Sequence, residues 1–264
     1  MNVRKTAIVT GSATGVGAAA AELLAERGCN VVVNYTRSEK EANDTAARCE
    51  AAGAETRVVQ ADVSQDDDCL KLAAAAMDAW GRIDYLVNNA GRTKFNPFAN
   101  LHGIDKQDFL DIYAVNVVGT YQMIRAVEPH MRSLGSGAVV NNSSIGGVTG
   151  IASSIPYAAS KAALNLMTKS LAHVLGPEIR INSVAPGMIQ TRWLQGGMGD
   201  EAYQAMLDMA SQALPLKQVA EPHHVAEVIV WFLEGAPLVT GETLIADSGI
   251  HLGQLPALAS GDSD

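Results

Sequence analysis

Apolar positions along the chain follow two rhythms. Short runs of consecutive apolar residues, rich in Val and Ile, alternate with longer stretches where Ala and Leu recur among Glu, Lys and Arg. A run apolar at every position suits a strand covered on both faces; the longer period suits a helix packed on one side. Strands are predicted at Thr6–Gly11, Asn30–Tyr35, Glu55–Asp62, Ile83–Gly91, Gly137–Ser144, Arg180–Gly187 and Glu242–Gly249. Between them helices are predicted at Gly17–Gly28, Ser38–Gly53, over "DDDCLKLAAAAMDAWG", from about Asp105 to Met131, and at Tyr157–Leu175. Such alternation makes the expected fold α/β, a single-domain doubly wound parallel sheet with helices on both faces. The segment Trp193–Leu214 mixes Gly, Met and polar residues and breaks the rhythm, and no Pro- or Ser-rich linker divides the chain.

Composition narrows the function. The formal net charge is −9, with no basic run, which argues against a nucleic-acid partner. The longest apolar stretches, such as "VAEVIVWFL", are too short to span a bilayer, and the first residues lack a signal-peptide core, so a cytoplasmic protein with no membrane partner is expected. Cys29, Cys49 and Cys69 are odd in number and widely spaced, which reads as reduced thiols and gives no metal site.

The first strand runs directly into "TGSATGVG", residues 10–17. Gly11 can take a tight turn, while Gly15 and Gly17 allow a backbone to approach a helix start, where free N–H groups favour a pyrophosphate. The spacing is Gly-x-x-x-Gly-x-Gly, and its place at the first strand–helix junction favours a bound dinucleotide over an empty turn. The second strand ends "VNYTRS" with no acidic residue to take a ribose 2′-hydroxyl. Arg37, with Ser38 beside it, is placed to grip a 2′-phosphate, so NADP(H) is preferred and NAD(H) is the alternative. Ser38 and Glu41 also spell a helix capping box, and both readings can hold at once. Asp62, ending the third strand, reads by itself as a turn aspartate.

Tyr157 and Lys161 in "YAASK" lie four apart, so on a helix they share a face. An ammonium beside a phenol favours the phenolate, giving a group that exchanges a proton with a carbonyl or alcohol oxygen. Tyr-x-x-x-Lys alone is common. Here it stands in order with "TGSATGVG", "NNAG" (88–91), Asn116, Ser144 and "PGMIQT" (186–191), most of them at carboxyl ends of strands, where open α/β sheets bind ligands.

From Thr6 to about Gly249 the sequence resembles the short-chain dehydrogenase/reductase family, most closely its 3-oxoacyl-acyl-carrier-protein reductase type, with a Rossmann-like catalytic domain expected over 1–250. The resemblance implies reversible carbonyl reduction. Tyr157 is the general acid/base, Lys161 lowers its pKa and holds the nicotinamide ribose, Ser144 places the substrate oxygen, and Asn116 supports a proton path through Lys161. Ser143 is the alternative serine, but Ser144 stands thirteen residues before Tyr157, the family's spacing. Gly11, Thr14, Gly15 and Val16 wrap the pyrophosphate. Asp62 and Val63 meet the adenine, Asn89, Ala90 and Gly91 line the cofactor floor, and Ile189 and Thr191 hold the carboxamide.

The resemblance also implies a homotetramer and a substrate lid at about 192–215. The lid's Trp193, Leu194, Met198, Tyr203, Met206, Leu207 and Met209 suggest a flexible apolar pocket. An acyl thioester, a cyclic ketone or a small diketone would suit it. Two competing functions are an NAD(H)-dependent dehydrogenase of a secondary or cyclic alcohol and, more remotely, a non-catalytic nucleotide sensor, which such proteins become by losing the Tyr or Lys. Two features depart from the family: "DSG" (247–249) replaces Asp-Gly-Gly, and "RTKFNPFANLHGIDKQDF" after "NNAG" matches no known pattern. A C-terminal tail is expected over 251–264, and its end, "ALASGDSD", is small and polar and expected to fray.

Overall fold

Seven strands form one parallel sheet in the order β3-β2-β1-β4-β5-β6-β7 in a computed structural model that describes residues 4–253. They are β1 (Thr6–Val9), β2 (Asn30–Tyr35), β3 (Thr56–Gln60), β4 (Tyr85–Asn88), β5 (Gly137–Asn142), β6 (Ile179–Pro186) and β7 (Thr243–Ala246). The tail from 254 onward and the Met198 side chain lie outside the described residues.

The reason the strands carry apolar side chains on both faces is visible in the packing. Ala7 and Val9 of β1, Val31 and Val33 of β2, and Val87 of β4 enter one buried cluster, while Ile8, Val32 and Leu86 between them enter another on the opposite face. The first cluster is closed by α1 (Gly15–Glu26), α2 (Glu39–Ala51) and α10 (Pro222–Glu234). The second is closed by α3 (Asp66–Trp80), α5 (Thr120–Leu134) and the C-terminal end of α7 (Ile155–Leu175). Alternating side chains thus meet two dry layers, which is the doubly wound arrangement predicted.

Four features differ from the predicted elements. The long helix begins as α4 (Lys106–Tyr113) on a capping box in which Asp105 and Asp108 each accept the other's backbone N–H. It passes through a π-helical turn at Ala114–Gly119 before continuing as α5. Gly119 permits this passage: a Cβ there would sit 2.8 Å from the Val63 carbonyl oxygen. Helix α10 contains the run "VAEVIVWFL", apolar enough throughout to give no one-sided helical period. The region 192–215 is two helices, α8 (Arg192–Met198) and α9 (Asp200–Ala213). A short helix, α6 (Gly146–Thr149), follows β5.

Strand order reverses between β1 and β4, with β2 on one side and β5 on the other. The two halves of the sheet therefore diverge there, and a crevice opens beyond their carboxyl ends.

Candidate active site

That crevice is a cavity of about 1680 Å³. The turn after β1 shapes one end. Gly11 and Gly15 both hold φ +61°, the left-handed conformation that a side chain resists. The Gly11 N–H donates to Asn34 Oδ1 at 2.9 Å, so buried Asn34 is a strut for the turn and leaves the tip of β2 to Thr36 and Arg37. Thr14 is the N-cap of α1, and its side chain makes no capping bond, which leaves the first N–H groups of the helix to a ligand.

The "NNAG" segment is bolted to the same turn. Asn89 N–H and Ala90 N–H donate to Thr10 Oγ1 at 2.9 and 3.0 Å, and Asn89 Nδ2 donates to the carbonyls of Thr10 and Gly11. Gly17 has no room for a side chain: a Cβ would fall on the Asn89 amide and the Gly11 carbonyl and lie 2.9 Å from Ser12 Cα. Gly17→Ala is therefore expected to cost about 1–3 kcal/mol of stability through over-packing, and to weaken dinucleotide binding as the turn shifts. Urea denaturation with a dinucleotide titration measures both, and unchanged values would refute this account of the turn.

At the other end, α7 presents Tyr157 and Lys161 on one face. Pro156 at its second position, and Ser154 in extended conformation before it, start the helix there. Lys161 is only 3% exposed and its Nζ donates to the Asn142 carbonyl at 2.6 Å; the ammonium stands 5.6 Å from the Tyr157 ring centre. Burial pushes the Tyr157 phenol up to about 12, and a hydrogen bond with Ser144 pulls it partly back. Burial likewise brings Lys161 down to about 8. The expectation that Lys161 depresses the Tyr157 pKa is thus outweighed in the protein itself by loss of water around both groups. Ser144 lines the cavity and is the serine whose side chain lowers the Tyr157 phenol; buried Ser143 Oγ donates instead to the Lys161 carbonyl at 3.3 Å.

Asn116 lies in the π-helical turn, 1% exposed, and does not line the cavity. Its Nδ2 donates to Ser160 Oγ at 2.9 Å and to the Arg92 carbonyl, and its Oδ1 accepts the Arg92 N–H at 2.8 Å. Ser160 Oγ in turn donates to the Tyr157 carbonyl at 2.7 Å. The carboxamide is fully engaged in tying "NNAG" and its successor to α7, which leaves the Asn116 backbone carbonyl, already accepting from Thr120 Oγ1, as its one outlet for a proton path.

Of the other expected residues, Gly11, Thr14, Gly15, Val16, Arg37, Asp62, Val63, Asn89, Ala90, Gly91, Ser144, Tyr157, Lys161, Ile189 and Thr191 all line the cavity. Ser38 does not: it sits at the N-cap of α2, and its side chain makes no capping bond. The Ser38–Glu41 capping box is absent because Glu41 turns to Arg192 of α8, 3.2 Å away. Asp62 keeps its turn role, accepting from Ser64 N–H and Oγ at 3.0 and 2.8 Å, while bordering the cavity.

The expected methionine pocket is not formed. Met206 and Met209 do not line the cavity, Met209 is exposed, and Leu207 packs with Ala210, Leu214 and Val219 in a small separate core. Among the described residues of the expected lid, only Arg192, Trp193 and Leu194 reach the cavity. Trp193 stands edge-on to Tyr157, ring centres 6.0 Å apart and planes at 85°. Gly91 leaves it space, since a Cβ there would touch the indole at 3.4 Å. The facing wall comes from the unmatched stretch after "NNAG": Phe95 to Phe98 line it, with Ile151. That stretch is held by Arg92–Asp111 and Lys94–Asp108 ion pairs and by the Asn96 N–H bond to the Ser153 carbonyl. The two phenylalanines next to a strand's carboxyl end were the available signal for this wall.

A family model described as enoyl-(acyl carrier protein) reductase matches residues 11–251. A solved structure of a Burkholderia xenovorans protein described as a short-chain dehydrogenase/reductase superposes with a TM-score of 0.88 at 37% identity, covering 96% of this chain and all of that one. The chain belongs to the short-chain dehydrogenase/reductase family. Among curated relatives, a Streptomyces violaceoruber protein named as a ketoacyl reductase of the granaticin polyketide synthase is 40% identical over 93% of this chain and 96% of its own length. A 3-oxoacyl-acyl-carrier-protein reductase of Staphylococcus epidermidis is 32% identical over 95% of this chain and all of its own. As a member of the short-chain dehydrogenase/reductase family, the protein is an oxidoreductase of small molecules that interconverts carbonyl and alcohol with a nicotinamide cofactor. The lining fits that cofactor, with glycines where its backbone neighbours must be close and uncapped N–H groups where phosphates carry charge. No helix among the described residues is long and apolar enough to cross a membrane.

Proposed function

We propose that the protein is an NADP(H)-dependent carbonyl reductase whose proton donor is Tyr157. The observation that carries this reading is the convergence of Ser144, Tyr157 and Lys161 on one wall of a cavity that the dinucleotide turn also lines. When bound, the nicotinamide supplies the hydride. Ser144 and Tyr157 hold the carbonyl oxygen, Tyr157 gives it a proton from Oη, and Lys161 steadies the charge left on the phenol. Asn116 positions Tyr157 through Ser160.

The cofactor preference rests on Arg37, which lines the cavity beyond β2 and makes no ion pair among the described residues. A charge-assisted bond to a 2′-phosphate contributes about 1.5–3 kcal/mol, so Arg37→Ala should raise the KM for NADPH by ~10- to 100-fold and leave that for NADH nearly unmoved. Initial rates with both cofactors and an acetoacetyl thioester, beside cyclic ketones, test cofactor and substrate together. A wild-type preference for NADH would instead support the dehydrogenase reading. The substrate we favour is a 3-oxo compound, by likeness to the ketoacyl reductases, with its acyl or ring body against Trp193, Phe95 and Phe98.

Residues 1–250 act as one catalytic domain, with 192–215 as its lid. A homotetramer is supported by exposed apolar side chains on two faces, Val118, Tyr121, Leu166 and Val174 on one and Trp231 and Leu244 on another. A cytoplasmic site is supported by three buried free thiols.

A further inference from the structure

The "DSG" departure shapes a second polar feature of the cavity. After β7 the chain turns through Ser248 at φ +58° and Gly249 at φ +89° into a short 3-10 turn at Ile250–Leu252. Asp247 is buried at the root of this turn, directly behind Gly187, where a Cβ would meet Asp247 Cβ at 2.7 Å. Its carboxylate accepts the N–H groups of Gly249 and His251 at 2.9 and 2.8 Å. It also meets His251 Nδ1 at 2.9 and 3.0 Å from its two oxygens. His251 lines the cavity that holds Tyr157, in the wall continuing from Gly187 and Met188 toward the lid.

The backbone N–H groups of Gly249 and His251 already close the turn on Asp247, so the imidazole is not required for it. The carboxylate also fixes the tautomer. Nδ1 carries the hydrogen that faces two acceptor oxygens, which leaves the lone pair on Nε2, at the far edge of the ring. With Nδ1 held against buried Asp247, Nε2 is at the opposite edge of a ring that is a third exposed, in a residue that lines the cavity. It is an oriented acceptor in an otherwise largely apolar wall, and the negative charge behind it disfavours an anion.

We propose that His251, held by Asp247, is a recognition site for a hydroxyl group of the carbonyl substrate, remote from the carbonyl reduced at Tyr157. The substrate class is then a hydroxylated ketone. This rests on the carbonyl-reductase reading above.

The test compares β-tetralone with its ring-hydroxylated isomers, in wild type and in His251→Phe, which keeps a flat ring and removes both nitrogens. In wild type at least one hydroxylated isomer should have a KM ~10-fold below that of the parent ketone, the effect of about one net hydrogen bond. In His251→Phe that ratio should collapse to about one, and His251→Gln, which restores an acceptor, should recover part of it. A ratio of one in wild type, or a ratio kept in His251→Phe while both KM values shift together, overturns the proposal. The same ratio is read without turnover from quenching of tryptophan fluorescence on binding. A ratio kept there defeats the His251 site whether or not the ketones are reduced. Absence of NADPH oxidation by every ketone and thioester counts against the carbonyl-reductase reading alone.

Discussion

Tyr157→Phe should lower the turnover number for NADPH-driven carbonyl reduction by about 10³-fold, within the range that a positioned general acid contributes. The substitution removes one oxygen and little else. The ring that Trp193 meets edge-on is retained, and so is the packing of α7 behind it. The lost hydroxyl takes with it its interaction with Ser144, worth at most about 1 kcal/mol, so folding should be nearly unaffected. NADPH should bind within a few-fold of wild type, because Gly11–Val16, Arg37 and Lys161 are untouched. Stopped-flow turnover and a fluorescence titration of NADPH separate the two effects. A variant that binds cofactor and still turns over at more than about a tenth of the wild-type rate would remove Tyr157 from the chemistry and return the donor role to Ser144 or to water.

The layering of the fold was legible because the sheet is parallel and covered on both faces. Every strand then reads as an apolar run, and the register at which Ala7 and Val9 part from Ile8 needs no further information. Strand ends were read too long at their carboxyl termini: Gly11, Asp62, Gly91 and Ser144 all fall past the last ladder residue. Those residues carry the site, and strand-like neighbours surround them because the chain leaves the sheet into a cleft and not into water. The π-helical turn at Asn116 was hidden, since a single extra residue in a helical repeat leaves the apolar period nearly intact over so short a span. Helix α10 was passed over because one apolar run carries both its buried Ile229, Phe232 and Leu233 and its half-exposed Trp231.

Site residues set by local chain geometry were readable, and those set by distant contacts were not. Tyr157 and Lys161 share a face through helix geometry alone. Glu41 abandons the Ser38 cap for Arg192, a residue 151 positions away, and no local pattern contains that choice. The methionines of 192–215 suggest a pocket by composition, but α9 turns Leu207 and Ala210 into its own small core and leaves Met209 in solvent. The apolar wall came from Phe95 and Phe98 instead, in a stretch with no repeating pattern, fixed by ion pairs to α4 and by bonds to the loop before α7. The placing of His251 depends in the same way on a carboxylate buried behind another strand's end.

Lys161→Met should lower reductive turnover by ~10²-fold or more and yet leave the cofactor-free protein at least as stable as wild type at pH 7. The reason is the position of Lys161, 3% exposed and with its pKa brought from 10.5 down to about 8 by burial. Between those values the unfolded chain binds a proton that the folded protein gives up, so stability rises with pH across that window. Below about pH 8 the full cost of holding the ammonium in the fold is present, roughly 3 kcal/mol for a shift of this size. Methionine of similar length removes that cost and loses the 2.6 Å bond to the Asn142 carbonyl, worth about 1–3 kcal/mol when the carbonyl is left buried. The two nearly offset at neutral pH, with the balance toward the variant. As pH approaches 10 the wild type sheds the proton and its burial cost falls away, so the variant's relative stability should drop by about 2 kcal/mol between pH 7 and 10, a change that urea denaturation at the two values resolves. The same ionisation sets the activity profile. Tyr157, near 12, keeps the proton it must donate, while Lys161 loses its charge through about pH 8, so kcat/KM for reduction should hold from pH 6 to 8 and fall above it. A stability difference that does not change with pH, together with a flat reductive profile to pH 10, would mean that Lys161 stays charged in the fold, and that its contribution comes from holding the ribose and not from its proton.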